Sequence, residues 1–284
     1  MFNHDLKPSY SVMTQLFKKV KMFSELEDEI RIRLQDRKDE LQQELINEID
    51  PEIPTKYNSV NVFLGRAGSG KSFNILQIFA KISQVCPRTH LIIYINKTGE
   101  PNDRTYSEIF KDLIKIPIIC CSYNEAVPTF DNIRRYKELY QQIKDEHLEN
   151  KIHRDQRKEI FKNLYIQDFY QDWLHTIVYF EDAHKNPLIY GKKDLYFISQ
   201  LPLFRHDKVS YYFSLQVFTQ FPTDIKTQIT DLFLFPGYSS RQFKFIVGNL
   251  NITKDVNNIL QKYQSLNKYG FLQIDNEDGK IEVF

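Results

Sequence analysis

The chain is short of several things, and each shortage narrows what it can be. Its three cysteines, Cys86, Cys120 and Cys121, have no zinc-ligand spacing, so neither a zinc module nor a disulfide scaffold organises the fold. The adjacent pair sits inside an apolar, strand-like run and reads as core, which suits a reducing compartment. No apolar run is long enough to span a bilayer, and the N-terminus lacks the apolar segment of a signal peptide, so a soluble intracellular protein is expected. Charge of one sign is also missing: 38 Lys and Arg against 37 Asp and Glu leave a formal net of +1. That balance gives no global sign of a nucleic-acid binder, although a ring can still gather its basic residues in one channel. Glycine is scarce, at nine residues, and no internal repeat or low-complexity tract is present. The bias toward Lys, Asn, Ile, Tyr and Phe is what an AT-rich genome tends to encode and says little about chemistry.

Against that background, Gly65-Arg66-Ala67-Gly68-Ser69-Gly70-Lys71-Ser72 stands out, because it satisfies G-x-x-x-x-G-K-[ST] at every fixed position. Val60 to Leu64 before it reads as a buried strand. Phe73 to Ser83 after it reads as a helix with Ile75, Ile78, Phe79 and Ile82 on one side. Glycines let such a loop fold tightly enough for its N–H groups to converge on phosphate oxygens, and the helix N-terminus adds its positive end. The expected cradle is Gly65, Arg66, Ala67, Gly68, Ser69, Gly70, Lys71, Ser72 and Phe73, with Lys71 reaching the β- and γ-phosphates and the Ser72 hydroxyl on Mg²⁺. A glycine turn beside a chance lysine is the bland alternative.

Hydrolysis needs more than a phosphate cradle. It needs an acid at a second strand tip to position the metal and a group to orient water. Ile177-Val178-Tyr179-Phe180 runs into Glu181-Asp182, about 110 residues after Lys71, and supplies that shape. By position Glu181 takes the metal role and Asp182 the water role, in the inverse of the more frequent Asp-Glu order; a strand ending in two solvated acids is the alternative. His184 reads as a local hydrogen-bonding residue rather than a base. Asn96-Lys97-Thr98-Gly99 lacks the Asp of the guanine-reading Asn-Lys-x-Asp element and follows an early strand, which favours ATP. The arginine-rich lid of a small-molecule kinase is not legible.

The chain divides into an N-terminal helical segment and linker, 1–54, and a main domain, 55–284. Val12 to Glu48 carries Leu26, Ile30, Leu34, Leu41 and Leu45 on one stripe with charged faces elsewhere, and Asp50 to Pro54 ends it. In the main domain, Leu91–Ile95, Ile116–Cys121, His175–Phe180, Val209–Leu215 and Leu232–Phe235 are expected strands, and a helix is expected around Ser107–Ile114. Strands apolar on both faces indicate a parallel sheet covered by helices. A helical insertion is expected near 123–174. Its charged part, Asn132 to Trp173, carries Arg134, Arg135, Lys137, Lys144, Lys151, Arg154, Arg157, Lys158 and Lys162, which read as a solvated face. Tyr269 to Phe284 reads as a closing hairpin around Asp278-Gly279.

After the second motif come Phe204-Arg205-His206, a strand ending at Gln216, then Pro222, Ile225-Lys226 and Asp231 to Phe235. With the phosphate loop, this series resembles the genome-packaging ATPases of large double-stranded DNA viruses and their relatives (poxvirus-type viruses, virophages, polinton-like elements), a branch of the FtsK–HerA superfamily. The resemblance covers Val60 to Phe235. It implies an α/β P-loop NTPase with a RecA-like, mainly parallel central sheet flanked by helices, to which the N-terminal helical extension is added. It implies ATP and Mg²⁺, with Gln216 sensing the γ-phosphate and Arg205 acting in trans on a neighbouring subunit's site. The implied partners are double-stranded DNA, a homo-oligomeric ring (pentamer or hexamer) and capsid or vertex proteins. The implied location is the host cytoplasm, a virus factory or the virion. The chain departs from the pattern in its inverted acid pair and in Lys226, where relatives often carry Arg. Two other functions fit the same motifs: another P-loop nucleic-acid motor or helicase, and a nucleotide-gated structural or capsid-docking protein.

Overall fold

A computed structural model describes residues 55–85, 89–101, 106, 110–135, 137, 175–184, 186–190, 196–250 and 256–284. These fall within the compact unit formed by Leu45–Asp145 and Asp172–Phe284. The expected N-terminal helix and its linker, most of the charged insertion, and part of the Ser107–Ile114 helix lie outside the described residues.

Eight strands form one sheet: β1 (Val60–Leu64), β2 (Thr89–Ile95), β3 (Ile118–Cys121), β4 (His175–Phe180), β5 (Val209–Leu215), β6 (Asp231–Leu234), β7 (Leu272–Asp275) and β8 (Ile281–Val283). Their order is β3-β2-β4-β5-β1-β6-β7-β8. The first six are mutually parallel, and β7 and β8 close the sheet antiparallel as a hairpin. This is the mainly parallel, RecA-like α/β sheet expected of the sequence. Every residue of β1, β4, β5 and β6 is buried, as parallel strands covered on both faces must be.

Alternate residues of these strands face opposite layers. On one face, helix α1 (Lys71–Val85) lays Ile75, Ile78, Phe79 and Ile82 onto Phe63, Tyr94, Tyr179, Tyr212 and Phe233. Aromatic rings interlock there: Phe63 stacks on Phe233 with centroids 4.1 Å apart at 8°, and Phe79 meets Tyr179 and Tyr212 edge-on. On the other face, Phe180 stacks on Phe213 at 5.0 Å and meets Phe197 edge-on.

Residues 123–135 form helix α2, and here the structure corrects one expectation. Ala126, Phe130 and Ile133 are buried at helical spacing, and Lys137 continues their stripe, also buried. Lys137 is therefore not part of a solvated face. Its Nζ donates to the Asp207 carbonyl at 2.9 Å, and burial pushes its ammonium down to about 7. Arg134 likewise turns inward, donating from Nη1 to Gln200 Oε1 at 2.6 Å, whereas Arg135 is exposed. Interleaved acids and bases in the sequence hid an amphipathic helix whose apolar side is only three residues wide.

The remaining helices used below are α3 (Thr223–Lys226), started by Pro222, α4 (Ser240–Val247) and α5 (Val256–Gln264). Helix α4 opens on a full capping box, Ser239 with Gln242, which satisfies two amides at its start.

The stacked rings make a direct test of this core. Phe63→Ala removes a fully buried ring at the centre of the sheet and is expected to cost about 3–5 kcal/mol. Urea unfolding followed by far-UV circular dichroism measures it; a loss under about 1 kcal/mol contradicts the packing described.

Candidate functional site

Six parallel strands end on one edge, and the loop after β1 leaves that edge between β5 and β6. The Gly65 amide still pairs with Leu215 O at 3.0 Å, and the Phe235 amide with Leu64 O at 2.9 Å, so the loop starts from a fixed point. It then folds through Gly70, whose φ of +96° a side chain rarely tolerates, into α1. Among the described residues, the amides from Arg66 to Phe73 include one tied to a backbone carbonyl, that of Ser69 to Arg66 O at 3.3 Å. The other amides of Arg66 to Phe73 are left for an external acceptor, and the Asn74 amide, bonded to Gly70 O at 3.0 Å, begins the helix's own ladder. Ser69 Oγ is buried without a hydrogen-bond partner. A buried hydroxyl and converging amides suit phosphate oxygens.

Lys71 is buried, and its Nζ donates to Gly65 O at 2.8 Å and Arg66 O at 2.9 Å. Burial lowers the ammonium's pKa, and the nearby Asp182 charge opposes that shift. The lysine is thus folded onto its own loop, ready to exchange two carbonyls for anionic oxygens.

Glu181 and Asp182 stand at the end of β4. The Glu181 amide pairs with Ile95 O at 3.0 Å, and its Oε2 accepts from Asn96 Nδ2 at 3.1 Å. Asn96 is buried and also collects the amides of Thr98 and Gly99 on its Oδ1, at 3.1 and 2.8 Å. Asp182 turns out of the strand with φ of +47°, uncommon for a residue with a side chain. Its Oδ1 accepts from Gln216 Nε2 at 3.0 Å. His184 Nδ1 lies 3.0 Å from the same oxygen but without hydrogen-bond geometry. Gln216, at the end of β5, is held a second time, since its carbonyl accepts from the Tyr238 hydroxyl at 2.7 Å.

One cleft of about 910 Å³ is lined by Ala67 to Phe73 of the loop, by Glu181, Asp182 and Gln216, and by Asn96 and Tyr269 among others. Two of the expected cradle residues stand behind it. Gly65 is buried beneath Ser69, and Arg66 lies along Gly237 and contributes its carbonyl to Lys71. Arg205 belongs to a helical segment, Phe204–Asp207, that precedes β5, so it sits at the opposite edge of the sheet, a strand length of about 20 Å from the cleft. Its side chain lies outside the described residues. No cluster of three His, Cys, Asp or Glu able to hold a metal occurs among the described residues. A hydroxyl, one or two carboxylates and phosphate oxygens nevertheless make the oxygen set that Mg²⁺ takes, and Ser72, Glu181 and Asp182 offer the protein's share.

Reading the sequence missed Asn96, Tyr238 and Tyr269. Asn96 emerges from the strand register: Ile95 pairs with Phe180, so the residue after each falls side by side at the edge of the sheet. Tyr238 and Tyr269 come from loops whose return to the cleft is set by tertiary packing, and no local pattern announces them.

No family model matches the chain, and no curated protein matches it. Solved structures do. The DNA-packaging ATPase B204 of Sulfolobus turreted icosahedral virus aligns at 15% identity and TM-score 0.48 over 80% of this chain and 96% of that one. The genome-packaging NTPase B204 of Sulfolobus turreted icosahedral virus 2, in complex with ATP-gammaS, aligns at 16% identity and TM-score 0.49 over 80% and 96%. The cytoplasmic domain of the Type VII secretion ATPase EccC of Thermomonospora curvata aligns at 13% identity and TM-score 0.48 over 79% of this chain and 25% of that one.

The loop's tight base yields a prediction. A Cβ on Gly65 would stand 2.4 Å from Ser69 Oγ and 2.8 Å from Phe235 Cβ. Gly65→Ala is therefore expected to destabilise the fold by about 1–3 kcal/mol, measured by thermal unfolding. An unchanged midpoint means that the loop does not press against Phe235.

Proposed function

We propose that this chain hydrolyses ATP in the cleft and spends the cycle on moving duplex DNA, as the motor that loads a viral genome into a preformed capsid. The observation that supports this most is the convergence of Lys71 and Ser72 from β1–α1 with Glu181 and Asp182 from β4 and Gln216 from β5. In this reading the loop amides and Lys71 take the phosphates. Mg²⁺, held by Ser72 with one of the two carboxylates, would neutralise phosphate charge and orient the oxygens. The remaining carboxylate accepts a proton from the attacking water. Gln216 bonds Asp182 through its side chain and Tyr238 through its carbonyl, so a change at the γ-phosphate reaches the loop that leads into α4.

The motor part rests on the resemblance carried by Arg205-His206, Gln216 and Pro222. Arg205 stands at the sheet edge away from its own cleft, which suits action on a neighbour's site in a ring of five or six copies. Duplex DNA is then gripped by its backbone, without sequence preference and with strong salt dependence. Capsid or vertex proteins complete the assembly in the infected cytoplasm, a virus factory or the virion.

Lys71→Ala is expected to lower ATP turnover at least roughly 100-fold while circular dichroism stays unchanged; turnover at the parent rate contradicts the site. In the parent protein, duplex DNA is expected to stimulate turnover without strand separation. Unwinding points instead to a helicase, and indifference to DNA to a nucleotide-gated structural role. Arg205→Ala and Glu181→Ala proteins, each inactive alone, are expected to regain turnover when mixed, since mixed interfaces pair an intact arginine with an intact acid. No recovery argues against action in trans.

A further inference from the structure

The strand order gives the cleft a direction. Glu181, Asp182 and Gln216 end β4 and β5, on one side of β1, while β6 and β7 lie on the other. A triphosphate lying along the loop with its γ-phosphate toward the acids must send its nucleoside toward β6 and β7. On that side, just before β7, stands Tyr269, a lining residue of the cleft and, at 59%, the most exposed large side chain among the described apolar and aromatic residues.

Its position is built rather than incidental. Asn267 Oδ1 accepts from the amides of Tyr269 at 3.1 Å and Gly270 at 2.5 Å, which closes the turn. A Cβ on Gly270 would stand 2.7 Å from Phe284 O, so the turn is pressed against the end of the closing hairpin. A Cβ on Gly70 would stand 3.8 Å from Tyr269 Cδ1, which sets the ring beside the loop itself. Lys268 places its ammonium 5.0 Å from the ring centroid, a cation–π contact that helps hold the ring in place.

We infer that Tyr269 is the platform on which the purine ring of the bound nucleoside triphosphate stacks, so that the C-terminal hairpin is part of the substrate site. This rests on the proposed nucleotide reading of the cleft. The phenol ring offers a flat apolar face beside the phosphate loop, and stacking of a base on an aromatic side chain requires nothing more.

The test separates the two readings with a ligand that lacks a base. Calorimetric titration of the full chain in magnesium buffer uses a non-hydrolysable ATP analogue and inorganic tripolyphosphate. Tyr269→Ala is expected to weaken the analogue about tenfold and to leave tripolyphosphate within about twofold, while Tyr269→Phe binds both as the parent does. Because the side chain is exposed, Tyr269→Ala is expected to keep the parent's unfolding midpoint. An unchanged affinity for the analogue overturns the platform and leaves the cleft reading standing. Equal weakening of both ligands also overturns it, because Tyr269 would then shape the loop. If the parent binds neither ligand, or Lys71→Ala leaves tripolyphosphate binding intact, the nucleotide reading fails and takes the platform with it.

Discussion

Everything in the site depends on how β1 is clamped between β5 and β6. The bonds from Gly65 to Leu215 and from Phe235 to Leu64 extend the sheet one residue beyond β1 on each side, so the turn begins at a defined height and in a defined plane. Below them, the Phe63–Phe233 stack and the Val62–Phe213 and Val62–Leu232 register hold the three strands together. A phosphate cradle needs its amides within tenths of an ångström of one another, and that tolerance comes from the buried sheet rather than from the loop.

The same sheet sets the electrostatics. Lys71 carries a positive charge into a buried position and is kept there by two carbonyls, with the Asp182 charge nearby. The carbonyls satisfy the ammonium without neutralising it, so its charge remains for an anion. Asp182 in turn is oriented by Gln216, and Gln216 by Tyr238. Tyr238 donates its amide to the Tyr263 hydroxyl, which donates to Phe235 O, so the chain of bonds returns to the end of β6. The Tyr263 ring belongs to α5 and packs against Phe243 of α4. A shift of Gln216 therefore bears on both helices through packed groups and not through a free loop.

Much of this was legible in the residues. The glycine-rich loop with its flanks, the apolar run ending in Glu181-Asp182, and the strand ending in Gln216 were all readable, because buried parallel strands are mostly apolar runs closed by charged, amide or glycine residues. The boundaries of β4 and β5 fall at the expected residues. What the sequence concealed were relations between distant segments. Lys137 looked solvated because its buried stripe is sparse and its neighbours are charged. Tyr269 and Tyr238 occupy loops, where sequence position carries no information about which side of the sheet a side chain returns to. Asn96 looked like a failed base-reading element, and only the register of β2 against β4 shows that it braces Glu181.

The inverted acid pair follows from where the backbone is when each carboxylate is set. At Glu181 the chain is still in the sheet, its amide bonded to Ile95 O, and the longer side chain spans the distance to Asn96 at the strand edge. At Asp182 the backbone has already turned, with φ of +47°, and the Ala183 amide fixes the turn by bonding Ser214 O at 2.8 Å. Asp is one of the few residues with a side chain that tolerates this region, and its short side chain meets Gln216 directly. Each acid is therefore held by a neutral amide donor. An amide orients a carboxylate without cancelling its charge, whereas a lysine or arginine in either place would offset the negative charge that a cation or a proton needs. The order Glu-Asp thus places the longer acid on the in-plane backbone and the shorter one on the turn, and both carboxylates face one cleft.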